Sequence, residues 1–463
     1  MRVDAIKKNT VRFLEGRAYP PLVGVLALFS SLAGIEIFIW SIISGLIFLS
    51  AVLSDSAKPI ATAILLIPLF VSARHSPSHT VSLIYGDGNT SYYFTGWRLP
   101  LFTVSALLIL LGLVIYFIRN KCYGQISPRR DAIFIPTVIL SVVFLLGGVG
   151  SEGYLSGIPL SLLELVSFAI LYLFFAYGFR ERDGELAGWL SYNSLIITLV
   201  IILQLAVLFC TSEIIFLDGG INKEGVILGW GIWTVIGAYL ASQIPALLFG
   251  VLKGDRLSPV YFAAATLALI FSLLTMSRSA QLLSVGAYAI SLLILSVKSK
   301  GRIFYRAYIA VILLAAALFS LLQRERLGGL FRDFFADNGR VAHAKIAIRN
   351  FLEYPVFGVG FSGFEGIERL PAPFAPMGPL PAMAHNTPLQ LLSATGAVGL
   401  LSYIAYRIAS IVPVLKKRKL SSVFALMSSS VVLLGGLVDN FPFDLYPMHY
   451  SVIALAVSQR ADD

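Results

Sequence analysis

The chain has 463 residues, of which 57% are hydrophobic and only 13% are charged, and its mean hydropathy is +0.83. This composition excludes a water-soluble globular protein, because apolar segments repeatedly approach the ~20 residues that cross a hydrocarbon core. The net charge of +10 indicates membrane topology and contact with anionic lipid headgroups, and it gives no support for a nucleic-acid partner.

Apolar runs bounded by basic and polar residues recur along the chain. They predict an all-α polytopic membrane protein with about 12 to 14 transmembrane helices and one large extracytoplasmic loop. The predicted spans are 21–33, 36–53, 57–73, 99–118, 132–149, 158–179, 186–212, 226–252, 259–276, 280–298, 303–322, 387–412, 421–437 and 446–459. A second interpretation of residues 21–53 is one long tilted helix with a re-entrant piece.

The basic residues give the spans a direction, because Lys and Arg are retained on the cytoplasmic side of a membrane. With the N terminus inside, the Lys416–Lys419 cluster also falls inside. The chain then divides into N-terminal transmembrane helices (1–322), an extracytoplasmic loop with short helices (323–385) and C-terminal transmembrane helices (386–463). The polar insertion occurs once, which argues against a carrier built from two matching halves.

The cysteines and histidines predict neither a disulfide nor a metal site. Cys122 falls in a cytoplasmic loop and Cys210 near the outer end of a span, so the two cannot pair. The histidines lack partners at the spacing of metal ligands, and we expect no metal and no cofactor. These histidines are His75, His79, His343, His385 and His449.

Two polar stretches outside the spans contain turn-forming residues. The sequence Gly86-Asp87-Gly88-Asn89 within 74–98 predicts a hairpin that could act as a lid. The proline-rich run Leu370–Pro381 predicts a stiff segment without regular structure that could act as a flap.

The large loop contains one predicted helix. Asp337-Asn338-Gly339-Arg340 reads as a helix start, and Val341–Tyr354 has helical spacing and stops at Pro355. The following Gly358–Gly363 matches G-x-G-x-x-G, but no strand precedes it, so we do not interpret it as a nucleotide site. We expect its glycines to let the backbone turn tightly under a bulky ligand or against the membrane surface.

The loop ends in His385-Asn386-Thr387-Pro388, directly before an apolar run. Asn386 or Thr387 can cap the following helix, and Pro388 suits its first turn. The N-terminal end of that helix favours anions, and a histidine there could accept or relay a proton beside one. The alternative is that His385 is only a helix-end residue at the membrane interface.

Two arginines fall on the same side of the predicted membrane as His385. Arg278 lies at the turn between two spans, and Arg340 begins the loop helix. A guanidinium binds phosphate through two parallel hydrogen bonds, so both could hold a pyrophosphate. The alternative for Arg278 is that its side chain only reaches the lipid headgroups.

The motifs of the second half resemble the O-antigen ligase and polymerase family of bacterial envelope proteins, over roughly residues 260–460. The residues that carry this resemblance are Ser277-Arg278-Ser279, Gly339-Arg340, Tyr354-Pro355-Val356-Phe357-Gly358-Val359-Gly360, His385-Asn386 and Gly396-Ala397-Val398-Gly399-Leu400. The resemblance implies a multi-span glycosyltransferase architecture related to the GT-C type. It also implies a location in the bacterial inner membrane, with the active site on the extracytoplasmic face.

Such proteins take a glycan from undecaprenyl diphosphate and transfer it to an acceptor without a metal. For this chain, the resemblance implies that Arg278 and Arg340 hold the lipid pyrophosphate. It implies that His385 acts as base or orients the acceptor, that Asn386 contributes to substrate binding, and that Asp439 supports the site. Direct attack opposite the diphosphate predicts inversion at the anomeric carbon.

The sequence leaves the acceptor open. Ligase-type transfer to lipid A–core is favoured slightly by the single large loop and the His-Asn motif. The alternative is a polymerase that joins lipid-linked repeat units. A flippase or other transporter is less favoured, because it would need paired charges at mid-membrane, where only Glu36 and Glu164 occur.

Overall fold

A computed structural model describes residues 2–73, 96–126, 131–152, 154–181, 183–211, 216–217, 220–221, 225–322, 340–361, 364, 384–439 and 445–459. Its N-terminal helices are α1 (Arg2–Leu14), α2 (Tyr19–Ala33), α3 (Glu36–Leu53), α4 (Lys58–Leu66), α5 (Arg98–Arg119), α6 (Phe134–Leu146), α7 (Tyr154–Leu165), α8 (Leu171–Gly178) and α9 (Asp183–Thr211). The later helices are α10 (Trp233–Lys253), α11 (Ser258–Leu274), α12 (Arg278–Lys298), α13 (Arg302–Leu322), α14 (Arg340–Glu353), α15 (Thr387–Lys417), α16 (Leu420–Gly435) and α17 (Leu445–Gln459).

Short non-α elements join some of these helices. A 3₁₀ turn (Ile67–Phe70) extends α4, another (Cys122–Gln125) follows α5, and a π-helical turn (Val166–Ile170) links α7 to α8. Four two-residue strands form two antiparallel hairpins between α9 and α10. These strands are β1 (Phe216–Leu217), β2 (Gly220–Ile221), β3 (Ile227–Leu228) and β4 (Gly231–Ile232).

The all-α polytopic class is confirmed, and each predicted span contains a helix. Within the described residues, six helices are long and apolar enough to cross a membrane by length and composition: α3, α5, α9, α10, α12 and α15. Shorter apolar helices, which include α2, α6, α11 and α16, stand beside them. The count of complete spans therefore stays a prediction.

The first two predicted spans are separate helices, so the single long tilted helix was wrong. Gly34 ends α2 with φ +70, a left-handed conformation that breaks the helix. Glu36 then begins α3 and is fully buried, and its Oε1 accepts a 2.9 Å hydrogen bond from the backbone N–H of Ser72. The Glu36 carboxylate therefore joins the start of α3 to the segment that follows α4.

The predicted span 226–252 was wrong at its start, because residues 227–232 form the β3–β4 hairpin and the helix begins only at Trp233. A Cβ at Gly229 would come within 2.3 Å of the backbone of residues 71–72, so this turn needs glycine. The indole of Trp230 donates a 2.9 Å hydrogen bond to Gln204 of α9. The hairpin is thus fixed by close packing against other elements, which hydropathy does not register.

Helix α10 forms the centre of the molecule, and every residue from Val235 to Val251 in it is buried. It packs against α9, α11, α12 and α16. Because α10 is enclosed by protein on nearly every side, its neighbours α12 and α16 are held in fixed positions beside it. These two helices supply one wall of the candidate site.

Interhelical contacts group at two ends of the helices. At one end, Arg119 pairs with Asp55 at 3.2 Å, and Lys417 Nζ donates to the Gln459 carbonyl at 3.1 Å. At the other end, His385 meets Asp439. This grouping agrees with the predicted order of the spans, since each pair joins segments placed on the same side.

Helix α15 is broken at Gly396, whose φ of +65 and ψ of −163 are non-helical. The carbonyls freed by the break, those of Ser393 and Ala394, accept hydrogen bonds from the N–H groups of Val359 and Gly360, each at 2.9 Å. On the other side of the break, the Ala397 N–H donates to the Pro355 carbonyl at 2.9 Å. Irregular backbone inside a membrane protein is tolerated when protein satisfies its polar groups in this way.

This arrangement gives Gly358, the first glycine of the G-x-G-x-x-G match, a packing role. A Cβ at Gly358 would lie 2.3 Å from the Ser393 carbonyl oxygen, and one at Gly396 would lie 2.3 Å from the Val356 carbonyl oxygen. At Gly358 the close neighbour is the backbone of α15, which accounts for glycine at this position. Gly363 lies outside the described residues. Only glycine allows the two chains to approach so closely.

Several predicted features lie outside the described residues: residues 74–95 of the predicted 74–98 hairpin, the Asp337–Gly339 helix start and the Leu370–Pro381 flap. The helix predicted at Val341–Tyr354 is confirmed as α14, and it ends just before Pro355. Cys122 and Cys210 are both free thiols, as expected from their separation.

Candidate active site

His385 and Asp439 form the polar centre of the candidate site. His385 Nδ1 lies 3.0 Å from Asp439 Oδ1, and the His385 side chain is 48% exposed whereas that of Asp439 is 16% exposed. A carboxylate at Nδ1 favours the imidazole tautomer with its proton on that nitrogen, which leaves Nε2 able to accept a proton. The half-exposed ring is therefore available to a substrate hydroxyl.

The chain around His385 is held tightly against the end of α16. Asn386, one of the two residues predicted to cap α15, does so by accepting a 3.0 Å hydrogen bond from the Leu389 N–H. Its side-chain amide donates to the Leu437 carbonyl at 2.7 Å, and the Thr387 N–H donates to the Gly436 carbonyl at 2.6 Å. Asn386 and Thr387 thus join the chain that follows His385 to the segment that leads to Asp439.

Arg278 is the first residue of α12 and is half-buried. Ser277 caps this helix by accepting a hydrogen bond from the Ala280 N–H at 3.4 Å, and Met276 before it has a φ of +55. The tight α11–α12 turn thus places Arg278 beside the N-terminal N–H groups of a helix, where anions are stabilised.

Arg340, the exposed first residue of α14, faces the same groove as Arg278. This groove has a volume of about 490 Å³ and runs between α12 and α16. Its other lining residues are mostly apolar: Pro245, Ser279, Leu282, Leu283, Gly286, Ala287, Ile290, Met427, Ser430, Val431, Leu434, Leu437 and Val438. The groove reaches Val438, the residue before Asp439, so it adjoins the pair of His385 and Asp439.

His343 is a site residue to which the sequence analysis gave no role. Its ring lies 5.3 Å from that of His385 at an interplanar angle of 80°, and it also stacks on the ring of Phe364. Burial, together with the neighbouring His385, lowers the pKa of His343 below its ordinary value. The signal that could have revealed it is its spacing of three residues from Arg340, which places both on one helix face.

A buried side-chain contact ties α14 to α15 below these groups. Asn350 Nδ2 donates to Ser393 Oγ at 2.8 Å, and both residues are fully buried. The spacing between α14, which begins at Arg340, and α15, which follows His385, is therefore fixed by a side-chain hydrogen bond as well as by the backbone contacts at Gly396. In the part of the chain that is described, no group of three His, Cys, Asp or Glu side chains could hold a metal ion.

The fold and the site together define a class: a multi-pass helical membrane protein with two arginines on an apolar groove beside a histidine–carboxylate pair. Residues 263–404 match the family model described as O-antigen ligase. No curated protein matches the chain. The family resemblance is thus confirmed over residues 263–404.

This family implies a membrane glycosyltransferase of the O-antigen ligase or related polymerase type, with a lipid-linked glycan and an acceptor as partners. The matched segment includes four of the five predicted site residues: Arg278, Arg340, His385 and Asn386. Asp439 lies beyond its end, and its place in the site is supported by its contact with His385.

Proposed function

We propose that this protein is a ligase-type glycosyltransferase that moves a glycan from undecaprenyl diphosphate to lipid A–core. The observation that carries the proposal is the shared groove of Arg278 and Arg340, which adjoins the His385–Asp439 pair. Apolar walls, cationic groups and a proton acceptor are what transfer from a lipid diphosphate requires.

The two arginines bind the diphosphate, each through charge-assisted hydrogen bonds from its guanidinium. The N-termini of α12 and α14 add a positive dipole end at the same place. The apolar wall of α12 and α16, with Leu282 and Leu434 among its residues, suits the polyprenyl chain of the donor. One groove therefore provides for both the charged and the hydrocarbon parts of this lipid.

The transfer is a single displacement at the anomeric carbon. The acceptor hydroxyl oxygen attacks that carbon while its proton passes to His385 Nε2, and the bond to the diphosphate oxygen breaks with its electron pair. Undecaprenyl diphosphate leaves, and Arg278 and Arg340 neutralise the charge that develops on it. Asp439 stabilises the imidazolium formed at His385. Attack opposite the leaving group inverts the anomeric centre.

We place this site on the extracytoplasmic face of the bacterial inner membrane. The support is the distribution of charge: the Lys416–Lys419 cluster begins in the last turn of α15, one helix length from His385. Basic clusters are retained in the cytoplasm, so the opposite end faces outward. Lipid-linked glycans and lipid A–core would both reach the site from the outer leaflet.

Polymerase activity is the second candidate, because the family match covers both types and the same groove could hold a lipid-linked donor in either case. A transporter gains no support from Glu36, which is fully buried at a helix junction and bonded to the backbone of Ser72.

The test is reconstitution in nanodiscs with a lipid-linked glycan donor, in the presence and absence of lipid A–core. The ligase assignment predicts glycan on lipid A–core, and no elongation of the lipid-linked glycan when the acceptor is withheld. Elongation with donor alone would show a polymerase instead. Folded, membrane-inserted protein that yields neither product across several donor glycans would contradict both assignments.

A further inference from the structure

A second cavity, of about 240 Å³, lies at the other end of the helices from His385. It is formed where α2, α4, α9 and α11 begin and where α10 ends. Its lining residues are Leu14, Glu15, Gly16, Arg17, Pro20, Lys58, Pro59, Thr62, Glu185, Gly188, Trp189, Ser191, Tyr192, Gly250, Lys253, Asp255 and Tyr261. None of these residues belongs to the groove of Arg278 and Arg340.

The charged groups of this cavity balance. The cations are Arg17, Lys58 and Lys253, and the carboxylates are Glu15, Glu185 and Asp255. Lys58 is engaged by the protein, at 2.8 Å from Glu185 and 3.2 Å from Glu181. Because the lining has no net charge, it suits a ligand that carries both a positive and a negative group.

Arg17 and Lys253 both line the cavity beside α9. The Lys253 ammonium rests against Gly188, where a Cβ would lie only 2.6 Å from Nζ. The Tyr192 hydroxyl donates a 3.0 Å hydrogen bond to the Arg17 carbonyl. Among the described residues, neither cation has an ion pair.

Aromatic residues place this cavity at the level of the lipid headgroups. Trp189, Tyr192 and Tyr261 all line it, and Trp and Tyr are enriched where membrane meets water. On the same face of α9 as Tyr192, at spacings of seven and then four residues, Leu199 and Leu203 are exposed. They form an apolar track that leads from the cavity toward the middle of the membrane.

We propose that this cavity binds the headgroup of phosphatidylethanolamine, with the phosphate on Arg17 and Lys253 and the ammonium on the carboxylates of Glu15 and Glu185. The acyl chains lie along Leu199 and Leu203, between α2 and α11, the helices that flank α9 here. By the positive-inside rule, this lipid belongs to the cytoplasmic leaflet. The site is independent of the glycan transfer proposed above.

The charges also select among lipids. A phosphatidylglycerol headgroup brings a negative charge without an ammonium, so it leaves Glu15 and Glu185 facing an anion. A phosphatidylcholine headgroup has an ammonium that is fully methylated and cannot donate hydrogen bonds to these carboxylates. Phosphatidylethanolamine alone among the three satisfies both halves of the cavity.

Native mass spectrometry tests this inference on the full-length protein, released from nanodiscs that contain equal parts of phosphatidylethanolamine, phosphatidylglycerol and phosphatidylcholine. Wild type should retain one phosphatidylethanolamine. Lys253→Met should weaken that retention roughly tenfold, the value of one charge-assisted hydrogen bond. Lys298→Met is the matched control, because it removes a lysine from the last turn of α12 without altering the cavity, and it should retain the lipid as wild type does.

A second variant keeps the charge and changes only the space. Gly188→Leu places a side chain where the Lys253 ammonium rests, so it should also lose the lipid. Circular dichroism and thermal unfolding would show that each variant is folded. Equal retention by the Lys253→Met and Lys298→Met variants, or a preference for phosphatidylglycerol in wild type, would overturn the proposal. Stronger binding of water-soluble glycerophosphoethanolamine than of the lipid would also overturn it.

Discussion

Arg278 and Arg340 enter one groove from the first residues of two different helices. Alanine at either position should reduce transfer at least about tenfold, because a charge-assisted hydrogen bond to phosphate contributes roughly 1.5–3 kcal/mol. Lysine should restore activity only in part, since an ammonium cannot form the paired bonds of a guanidinium. Initial rates in nanodiscs would measure both effects, with circular dichroism as the folding control. Wild-type rates for both alanine variants would contradict the phosphate-binding role and favour the alternative that Arg278 only contacts lipid headgroups.

His385 is expected to act on the acceptor and not on the donor. His385→Ala should lower the transfer rate by roughly 10²–10⁴, the range for loss of a general base, while binding of the lipid diphosphate is retained. Turnover and donor binding are therefore measured on the same preparation. If donor binding falls in step with turnover, His385 positions substrate and the base role is wrong.

His343 should make the folded state sensitive to acid. Its pKa is lowered from the ordinary value of 6.5 by burial and by His385, so the unfolded chain binds a proton more readily than the folded chain. Stability from this group is present above about pH 6.5 and is lost as the pH falls below it. The Tm in detergent should therefore drop more between pH 7 and pH 5 for wild type than for His343→Gln. Equal drops would show that His343 does not contribute.

Sequence reasoning identified the residues of the site whose neighbours along the chain carry the signal. Asn386 and Pro388 mark a helix start by residue type alone, and the structure places the cap where the motif predicts it. His343 was missed, because its role depends on His385, which lies 42 positions later in the sequence. The site is formed by side chains from separate helices, and contacts between such residues cannot be predicted from local spacing in the sequence.

Hydropathy located the helices well and their interruptions poorly. The hairpin at 227–232 and the break at Gly396 both lie within apolar stretches, where a transfer scale registers no change. Each interruption is stabilised by another segment: Trp230 bonds to Gln204, and Val359 bonds to the Ser393 carbonyl. Such features depend on tertiary contacts, so a single sequence can only hint at them through its glycines.

The glycines at the broken helix should tolerate no side chain. Gly358→Ala and Gly396→Ala each combine a positive φ with a Cβ within 2.3 Å of a carbonyl oxygen. The left-handed conformation alone costs roughly 1–2 kcal/mol for a residue with a Cβ, and the clash adds to this, so the Tm should fall clearly. Gly45→Ala in α3 is the control, because a Cβ there meets no atom within 4 Å. A Tm equal to that of the control would show that the two backbones are not packed as described.

At the scale of the whole molecule, the distribution of basic residues predicts the orientation. With Cys122 and Cys210 replaced, Leu330→Cys should react with an impermeant thiol reagent in intact cells, because 323–385 is expected outside. Lys417→Cys should react only after permeabilisation. Labelling of position 417 but not of position 330 in intact cells would reverse the orientation and place the His385 site in the cytoplasm.

The broken helix also divides the site mechanically. The first part of α15, residues 387–395, is hydrogen-bonded to the chain that follows α14, and Asn350 of α14 bonds to Ser393. Arg340 and His385 therefore belong to one connected unit, the joint between α14 and α15. Arg278 does not belong to this unit, because it begins α12, which packs against the central α10. A small tilt of the joint relative to α12 would widen the groove for a bulky lipid while the distance from Arg340 to His385 stays constant. Spin-label distances would register this difference: a broad distribution between positions near Arg278 and Arg340, and a narrow distribution between positions near Arg340 and His385.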